Sequence, residues 1–233
     1  MTTARPRLAL VGAGAMGGNH ARVIAESDVA ELAVIVDTDP SRGRGLADRF
    51  GCTFSTDLAA ATGCDAAVVA TPTRTHDEQA AALLDAGLPL LIEKPLAPGI
   101  EASRATVCAA ARRGLPLMCG FVERFNPAVS TVAALLDERP VHMVSLRHSP
   151  ATPRTTLSVI FDLLIHDIDL TLRYACPLRL PRVASSVTRA GTDVTEVADC
   201  ILDFDSTLVA SLSSSRASQR KVRSHMIETP SAL

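Results

Sequence analysis

Aromatic side chains are scarce: 233 residues include six Phe, one Tyr and no Trp. Stacking platforms of the kind that hold single-stranded nucleic acid are therefore few. A dominant charge is lacking as well. With 23 Lys and Arg against 25 Asp and Glu, the formal net charge is −2, which provides no basic field for nucleic acid or an anionic membrane surface. The six cysteines, at positions 52, 64, 108, 119, 176 and 200, contain no CxxC pair. That spacing points to neither a zinc site nor a redox motif, so no metal is expected. Most of these cysteines sit in apolar runs, where small buried side chains belong. No apolar run approaches the ~20 residues of a membrane-spanning helix. The first apolar run, residues 8–11, is short and ends in a glycine loop, unlike a secretory leader. A reducing cytoplasm is the expected compartment. What the chain does have is 47% hydrophobic residues, enough to bury a sizeable core in one large domain or two small ones.

The most informative segment is GAGAMG at residues 12–17, after the apolar run 8–11 and before a helical pattern, with Asp37 twenty residues beyond the last glycine. Each part has a physical task. Gly12 permits a tight turn off the strand, Gly14 lets a pyrophosphate approach the backbone, and Gly17 lets the helix pack closely on the strand. The helix start offers unpaired N–H groups and a partial positive charge to the phosphates. Asp37, at the end of the second strand, can accept hydrogen bonds from the hydroxyls of an adenosine ribose.

The first half of the chain alternates strands (8–11, 32–37, 53–55, 66–70, 88–92, 115–119) with helices (15–26, 41–50, 77–86, 101–113). That βαβ rhythm predicts a doubly wound parallel sheet covered on both faces. Near Gly120 the pattern changes. A helix is expected over 126–137 with Asn126 as cap and Pro127 at its first position, then a strand over 141–148 and a helix over 157–174. Strands follow over 183–189, 197–204, 208–214 and 221–227, with a hairpin turn at Asp205-Ser206. The second half is thus an α+β domain with an open, mainly antiparallel sheet. An uncovered sheet face predicts a homo-oligomer formed through it.

Two further segments carry ionisable groups in patterned places. Glu93 and Lys94 close the apolar run 88–92, at the strand edge where open α/β sheets bind ligands. Pro95 restricts Lys94 to extended conformations and allows a cis bond. In the stretch FDLLIHDIDL, residues 161–170, Asp162 and His166 stand four apart and share a helix face. Asp169 extends that face and Asp167 points elsewhere. His166 has no second histidine beside it, so a general base oriented by Asp162 fits better than a metal ligand.

With these residues in view, the chain resembles the Gfo/Idh/MocA family of sugar and polyol oxidoreductases. The resemblance is carried by the GAGAMG loop, the strand-end Asp37, the ATPT turn at 70–73, the EKP motif at 93–95 and the Asp162/His166 pair. It runs over essentially the whole chain. Three stretches, 16–23, 123–129 and 166–170, are most similar to UDP-N-acetylglucosamine 3-dehydrogenase-like members. Phe121 departs from the family pattern, in which a histidine commonly follows the glycine. The chain is also short against the family at its C-terminal end, so the second sheet is expected to be incomplete.

The resemblance implies a Rossmann domain over residues 1–119 and a substrate and oligomerisation domain over 120–233. It implies NAD as cofactor, with NADP admissible, held by Gly12, Gly14, Ala15, Met16, Gly17, Asp37, Thr71, Pro72, Thr73, His76, Glu93 and Lys94. Lys94 and His166 would face the nicotinamide ring with Asp162 beside them, and these three are the catalytic candidates. Arg124 and Asn126 are the candidate substrate contacts. The expected activity is an NAD(P)-dependent dehydrogenation of a sugar hydroxyl, including C3 of a nucleotide-sugar. Two alternatives stay open: a dinucleotide-binding relative without catalysis, and an inositol or polyol dehydrogenase.

Overall fold

The computed structural model describes residues 4–151, 157–175, 180–188, 196–205 and 207–231. The chain forms two compact units, Met1–Gly120 and Phe121–Leu233. In the first, six parallel strands, β1 (Arg7–Val11), β2 (Glu31–Val36), β3 (Thr53–Ser55), β4 (Ala66–Val69), β5 (Leu90–Ile92) and β6 (Leu117–Cys119), lie in the order β3-β2-β1-β4-β5-β6. The helices are α1 (Ala15–Ala25), α2 (Pro40–Phe50), α3 (His76–Asp85) and α4 (Ile100–Arg113). The near-continuous apolar strands follow from burial on both sides. Leu10, Ile35 and Val68 face a core shared with Ala21, Ile24 and Ala47, while Val11, Val36 and Val69 face a second core with Leu83, Leu84 and Ile92.

Local chemistry sets the helix ends. Asp39 caps α2 by accepting from the N–H groups of Ser41 and Arg42, and Pro40 occupies the first position. Gly51 and Gly114 close α2 and α4 at φ of 69° and 65°, a left-handed conformation that suits glycine. The strand order reverses between β1 and β4, so a crevice opens beyond their carboxyl ends.

The second unit contains α5 (Pro127–Leu135), capped by Asn126, then β7 (His142–His148) and α6 (Ile165–Ala175). Strands β8 (Arg182–Thr188), β9 (Val197–Asp203), β10 (Val209–Ser215) and β11 (Val222–Glu228) join β7 in the order β11-β7-β10-β9-β8. All pairs are antiparallel except β7 with β10. Period-two alternation sorts the side chains. Met143, Ala198, Cys200, Leu202, Ala210 and Leu212 pack with Val159 and Leu164, while Leu146, Ile201 and Met226 are exposed on the other face. Asp205 turns with a φ of 52°; Ser206, the expected strand end Arg189 and Cys176 lie outside the described residues.

One expectation is corrected. The helix read over 157–174 is not uniform, because Ile160–Leu164 form a π turn ahead of α6. Wide turns of this kind appear mostly as single insertions in helices. The four-residue spacing from Asp162 to His166 therefore runs through a π turn, while His166 and Asp169 stand three apart within α6.

Candidate active site

In the first unit, the glycine loop has the geometry its sequence calls for. Gly12 has a φ of 102°, and a Cβ there would lie 2.7 Å from the carbonyl oxygen of Ala70. A Cβ on Gly17 would lie 1.9 Å from the carbonyl oxygen of Gly12, so α1 starts hard against the loop. At Gly14 nothing stands within 4 Å of a built Cβ. A side chain there would fill the open approach to the start of α1, where Ala15, Met16 and Gly17 belong to the first turn and their N–H groups lack intrahelical acceptors. The cradle suits a pyrophosphate.

Asp37 follows β2 and is 7% exposed. Its Oδ2 accepts from Ala13 N–H at 2.6 Å and its Oδ1 from Asp39 N–H at 2.8 Å. Arg42 adds a fork, with Nη2 to Oδ1 at 2.8 Å and Nε to Oδ2 at 3.2 Å. Burial alone would raise the carboxyl pKa. The hydrogen bonds from Arg42, Asp39 and Ala13, with the Arg42 charge, outweigh burial and hold it below the usual carboxylate range. Beside it runs a cleft of about 430 Å³ that Gly12, Gly14, Asp37, Arg42, Thr71 and Arg74 help to line.

The ATPT turn forms the opposite wall. Thr71 Oγ1 donates to Gln79 Oε1 at 2.7 Å, and Thr75 Oγ1 donates to Thr71 Oγ1 at 3.0 Å. Pro72 lines the same cleft, and Thr73 opens the short helical turn Thr73–Thr75. His76 is fully buried, with its two ring nitrogens each 2.9 Å from a carbonyl oxygen, of Pro95 and of Thr71. It ties this wall to the end of β5 rather than presenting a polar atom to the cleft.

At that end, the Lys94–Pro95 peptide is cis. Buried Glu93 places Oε1 2.7 Å from His20 Nε2 on α1, and its Oε2 accepts from Lys94 N–H at 3.3 Å. Gly120 makes room for this carboxylate, since a Cβ there would lie 3.0 Å from Glu93 Oε2. Sequence reasoning missed His20. The available signal was an imidazole one turn into the helix that follows the phosphate loop.

In the second unit, the carboxylates around α6 have separate arginine partners. Asp162 Oδ2 lies 3.7 Å from Nη1 of buried Arg216, which also reaches Glu196 at 3.5 Å and donates to the Leu157 carbonyl. Asp169 accepts a fork from Arg124 at 2.8 and 2.5 Å. Asp167, expected to point away, is the most enclosed of them and takes a fork from buried Arg147 at 2.7 to 3.1 Å. Arg147 also donates to Glu123 Oε1 at 3.0 Å. His166 is 8% exposed on the first turn of α6. Both candidate substrate contacts are engaged here: Arg124 with Asp169, and Asn126 with Glu123 Oε2 and the Ala128 N–H. Arg147 and Arg216 went unread in the sequence; for Arg147, an arginine at an inward position of the alternating strand β7 is a visible call for a buried acid, whereas Arg216 follows the end of β10.

The loop, the strand-end acid and the crevice at the reversal of strand order define a dinucleotide-binding Rossmann protein. The family model "Oxidoreductase family, NAD-binding Rossmann fold" matches residues 6–121. Inositol 2-dehydrogenase 4 of Saccharopolyspora erythraea is 35% identical over 183 residues, 73% of this chain and 54% of that protein. UDP-N-acetylglucosamine 3-dehydrogenase of Acidithiobacillus ferrooxidans is 31% identical over 221 residues, 93% of this chain and 69% of that protein. A solved structure of the latter enzyme superposes with a TM-score of 0.90 at 29% identity, covering 98% of this chain and 72% of that one. GenD2 from gentamicin A biosynthesis, solved in complex with NAD, gives a TM-score of 0.84 at 26% identity over 97% of this chain and 69% of its own. The chain belongs to the Gfo/Idh/MocA oxidoreductase family, and its first unit is an NAD-binding Rossmann fold. It spans about half to two thirds of the length of these curated relatives.

Proposed function

We propose that the chain is an NAD(P)-dependent dehydrogenase for a secondary hydroxyl of a sugar, with C3 of a nucleotide-sugar as the leading substrate. The observation that carries this reading is Lys94, set at the carboxyl end of β5 on the sheet edge that also bears the glycine loop, Asp37 and the Thr71 wall. In this reading, the first unit holds the cofactor. The N–H groups of Gly14, Ala15, Met16 and Gly17 bind the pyrophosphate, Gly12 gives the turn its shape while its own N–H is held by the Val36 carbonyl, and Asp37 takes the adenosine ribose. Thr71, Pro72 and Thr73 flank it, His76 stiffens that wall, and Glu93 and Lys94 serve the nicotinamide half. Bound NAD supplies the hydride acceptor.

The chain's own residues supply the rest. Lys94 holds the reacting oxygen and stabilises the negative charge that develops on it. His166 takes the hydroxyl proton as the carbinol C–H leaves as hydride, so a carbonyl, a reduced cofactor and an imidazolium result. Asp162 keeps the imidazole oriented and favours its protonated form. Arg124 and Asn126 act on substrate through the Asp169 and Glu123 side chains that they hold. Scattered cysteines without a paired motif favour a reducing cytoplasm. A second copy is the partner we assign to the open face of the β7–β11 sheet.

The identity to inositol 2-dehydrogenase supports a second reading, a cyclic polyol substrate. Purified protein with NAD or NADP, offered UDP-N-acetylglucosamine or myo-inositol and followed at the reduced-nicotinamide absorbance band, separates the two. Lys94→Ala and His166→Ala should each lower turnover by roughly a hundredfold or more, and His166→Ala should leave cofactor affinity nearly unchanged. Dinucleotide binding without turnover of any sugar or polyol would instead select the non-catalytic alternative.

A further inference from the structure

His20 joins two ends of the cofactor cleft. It stands on α1, the helix whose first turn faces the phosphate cradle, with Nε2 2.7 Å from Glu93 Oε1. Both side chains are enclosed, at 19% and 8% exposed. A carboxylate oxygen accepts, so Nε2 carries the hydrogen of this bond. Glu93 is held on its other sides as well. Its N–H donates to the Val69 carbonyl at 2.9 Å, which continues the pairing of β5 with β4. Gly120 packs so closely that a Cβ there would lie 3.0 Å from both Cδ and Oε2 of Glu93. That second oxygen, Oε2, accepts from Lys94 N–H at 3.3 Å. On the far side of Lys94, the Pro95 carbonyl is 2.9 Å from His76 Nδ1. Lys94 thus lies between two histidine ties, one to α1 and one to the start of α3. Strand order adds direction. Asp37 follows β2 on one side of β1, whereas Glu93 follows β5 on the other side, beyond β4. A dinucleotide that crosses the crevice with its adenosine at Asp37 brings its nicotinamide half toward Glu93 and Lys94.

We propose that His20 is a positioning residue: through Glu93 it locks the Lys94 main chain to the helix that starts at the phosphate cradle. The pyrophosphate and nicotinamide ends of the site then keep one fixed spacing. This rests on the dehydrogenase reading above and deepens it with a residue that acts through Glu93 and needs no contact with substrate. Without His20, Glu93 is a buried carboxylate short of a donor. It turns toward another donor and takes the Lys94 N–H with it. A displacement of about 1 Å at a reacting group costs roughly a hundredfold in rate.

Two measurements on the full chain test this, for the wild type, His20→Leu and His20→Gln. Calorimetry compares NAD with ADP-ribose, which carries the adenosine and pyrophosphate but no nicotinamide. His20→Leu should bind ADP-ribose as the wild type does, which also reports an intact fold. It should bind NAD about three- to tenfold more weakly, the scale of one lost hydrogen bond. Turnover is followed with whichever of UDP-N-acetylglucosamine and myo-inositol the wild type oxidises. In His20→Leu, kcat should fall roughly ten- to hundredfold, with substrate KM little changed. His20→Gln places an amide N–H near the position of Nε2 and should restore NAD affinity and kcat to within about threefold of wild type. Equal weakening of NAD and ADP-ribose in His20→Leu would show that His20 only supports α1. A His20→Gln protein as impaired as His20→Leu would remove the hydrogen bond as the cause. Either result overturns the proposal, as does wild-type NAD affinity and turnover in His20→Leu. If the wild type binds NAD but oxidises neither substrate, the dehydrogenase reading fails, and the comparison of NAD with ADP-ribose still decides the role of His20.

Discussion

At the residue scale, the second unit is organised around charges taken out of water. Arg147 and Asp167 are both almost fully enclosed, and each is satisfied by the other, with Glu123 as a further acceptor. Removing one partner of such a pair strands the other, which costs about 3–5 kcal/mol. Asp167→Ala should therefore lower the urea midpoint far more than Arg22→Ala, which breaks an exposed pair on α1. His225 on β11 faces the same cluster. Its ring accepts from or donates to Ser145 Oγ at 2.8 Å and stands 3.5 Å from Asp167. Burial pushes its pKa below the ordinary value of 6.5, and the Arg147 charge pushes the same way against the pull of Asp167 and Glu123. The unfolded chain therefore binds more protons than the folded one between the lowered pKa and 6.5. Stability supplied by the neutral ring is present above pH 6.5 and is lost as pH falls through that window. The single tyrosine, Tyr174 on α6, provides a fluorescence signal from this unit. Urea unfolding followed by it should show wild-type stability dropping from pH 7 to pH 5, with a flatter profile in His225→Gln. Parallel profiles for the two proteins would remove His225 as the cause.

At the scale of elements, most of the fold was legible because periodicity and punctuation agree. The glycine loop, the capped start of α2 and the left-handed ends at Gly51 and Gly114 all mark boundaries in the sequence, and the elements fall within a few residues of them. The π turn at Ile160–Leu164 was not legible, since FDLLI reads equally well as regular helix. Nor were the arginine partners of Asp162, Asp167 and Asp169. Those pairings join β7 and the turn at Val122–Phe125 to α6, and the segment after β10 to the π turn, and only the tertiary packing brings them together. The candidate cofactor residues could be named from local pattern because they follow the carboxyl ends of β1, β2, β4 and β5, whereas the contact of His20 is with a residue 73 positions away. The tightest element junction is the start of α1. Because a Cβ at Gly17 would sit 1.9 Å from a backbone oxygen, Gly17→Ala must push α1 away from β1. Such overpacking is expected to cost about 1–3 kcal/mol and to open the phosphate cradle. NAD affinity should fall by more than tenfold, while Gly18→Ala, where a Cβ meets nothing within 4 Å, should leave it unchanged. Equal effects of the two substitutions would disconnect the cradle from the close packing.

At the scale of the whole molecule, the two sheets answer the same question differently. The parallel sheet is covered on both faces by its own crossover helices. The β7–β11 sheet buries one face against the π turn and α6 and leaves the other with Leu146, Ile201 and Met226 exposed among Ser211, Ser213 and Asp199. This face carries a depression of about 380 Å³ lined by Val144, Leu146, Ala184 and Ile201. Its residues stand on the rigid positions of paired strands rather than on loops. An apolar patch held that way is the ground for the second copy proposed above as its partner. A second copy can present the same face, and a two-fold arrangement would bring Leu146 and Ile201 of each copy to a shared centre. Light scattering should then report a mass that rises with protein concentration toward at least a dimer. Ile201→Glu places a charge at that centre without touching the buried face, because Ala198, Cys200 and Leu202 supply the core side of β9. The variant should keep its fold and its dinucleotide affinity and lose association by at least tenfold. A wild-type chain that stays monomeric at every concentration, or an Ile201→Glu variant that associates as well as its parent, would show that this face meets something other than a second copy.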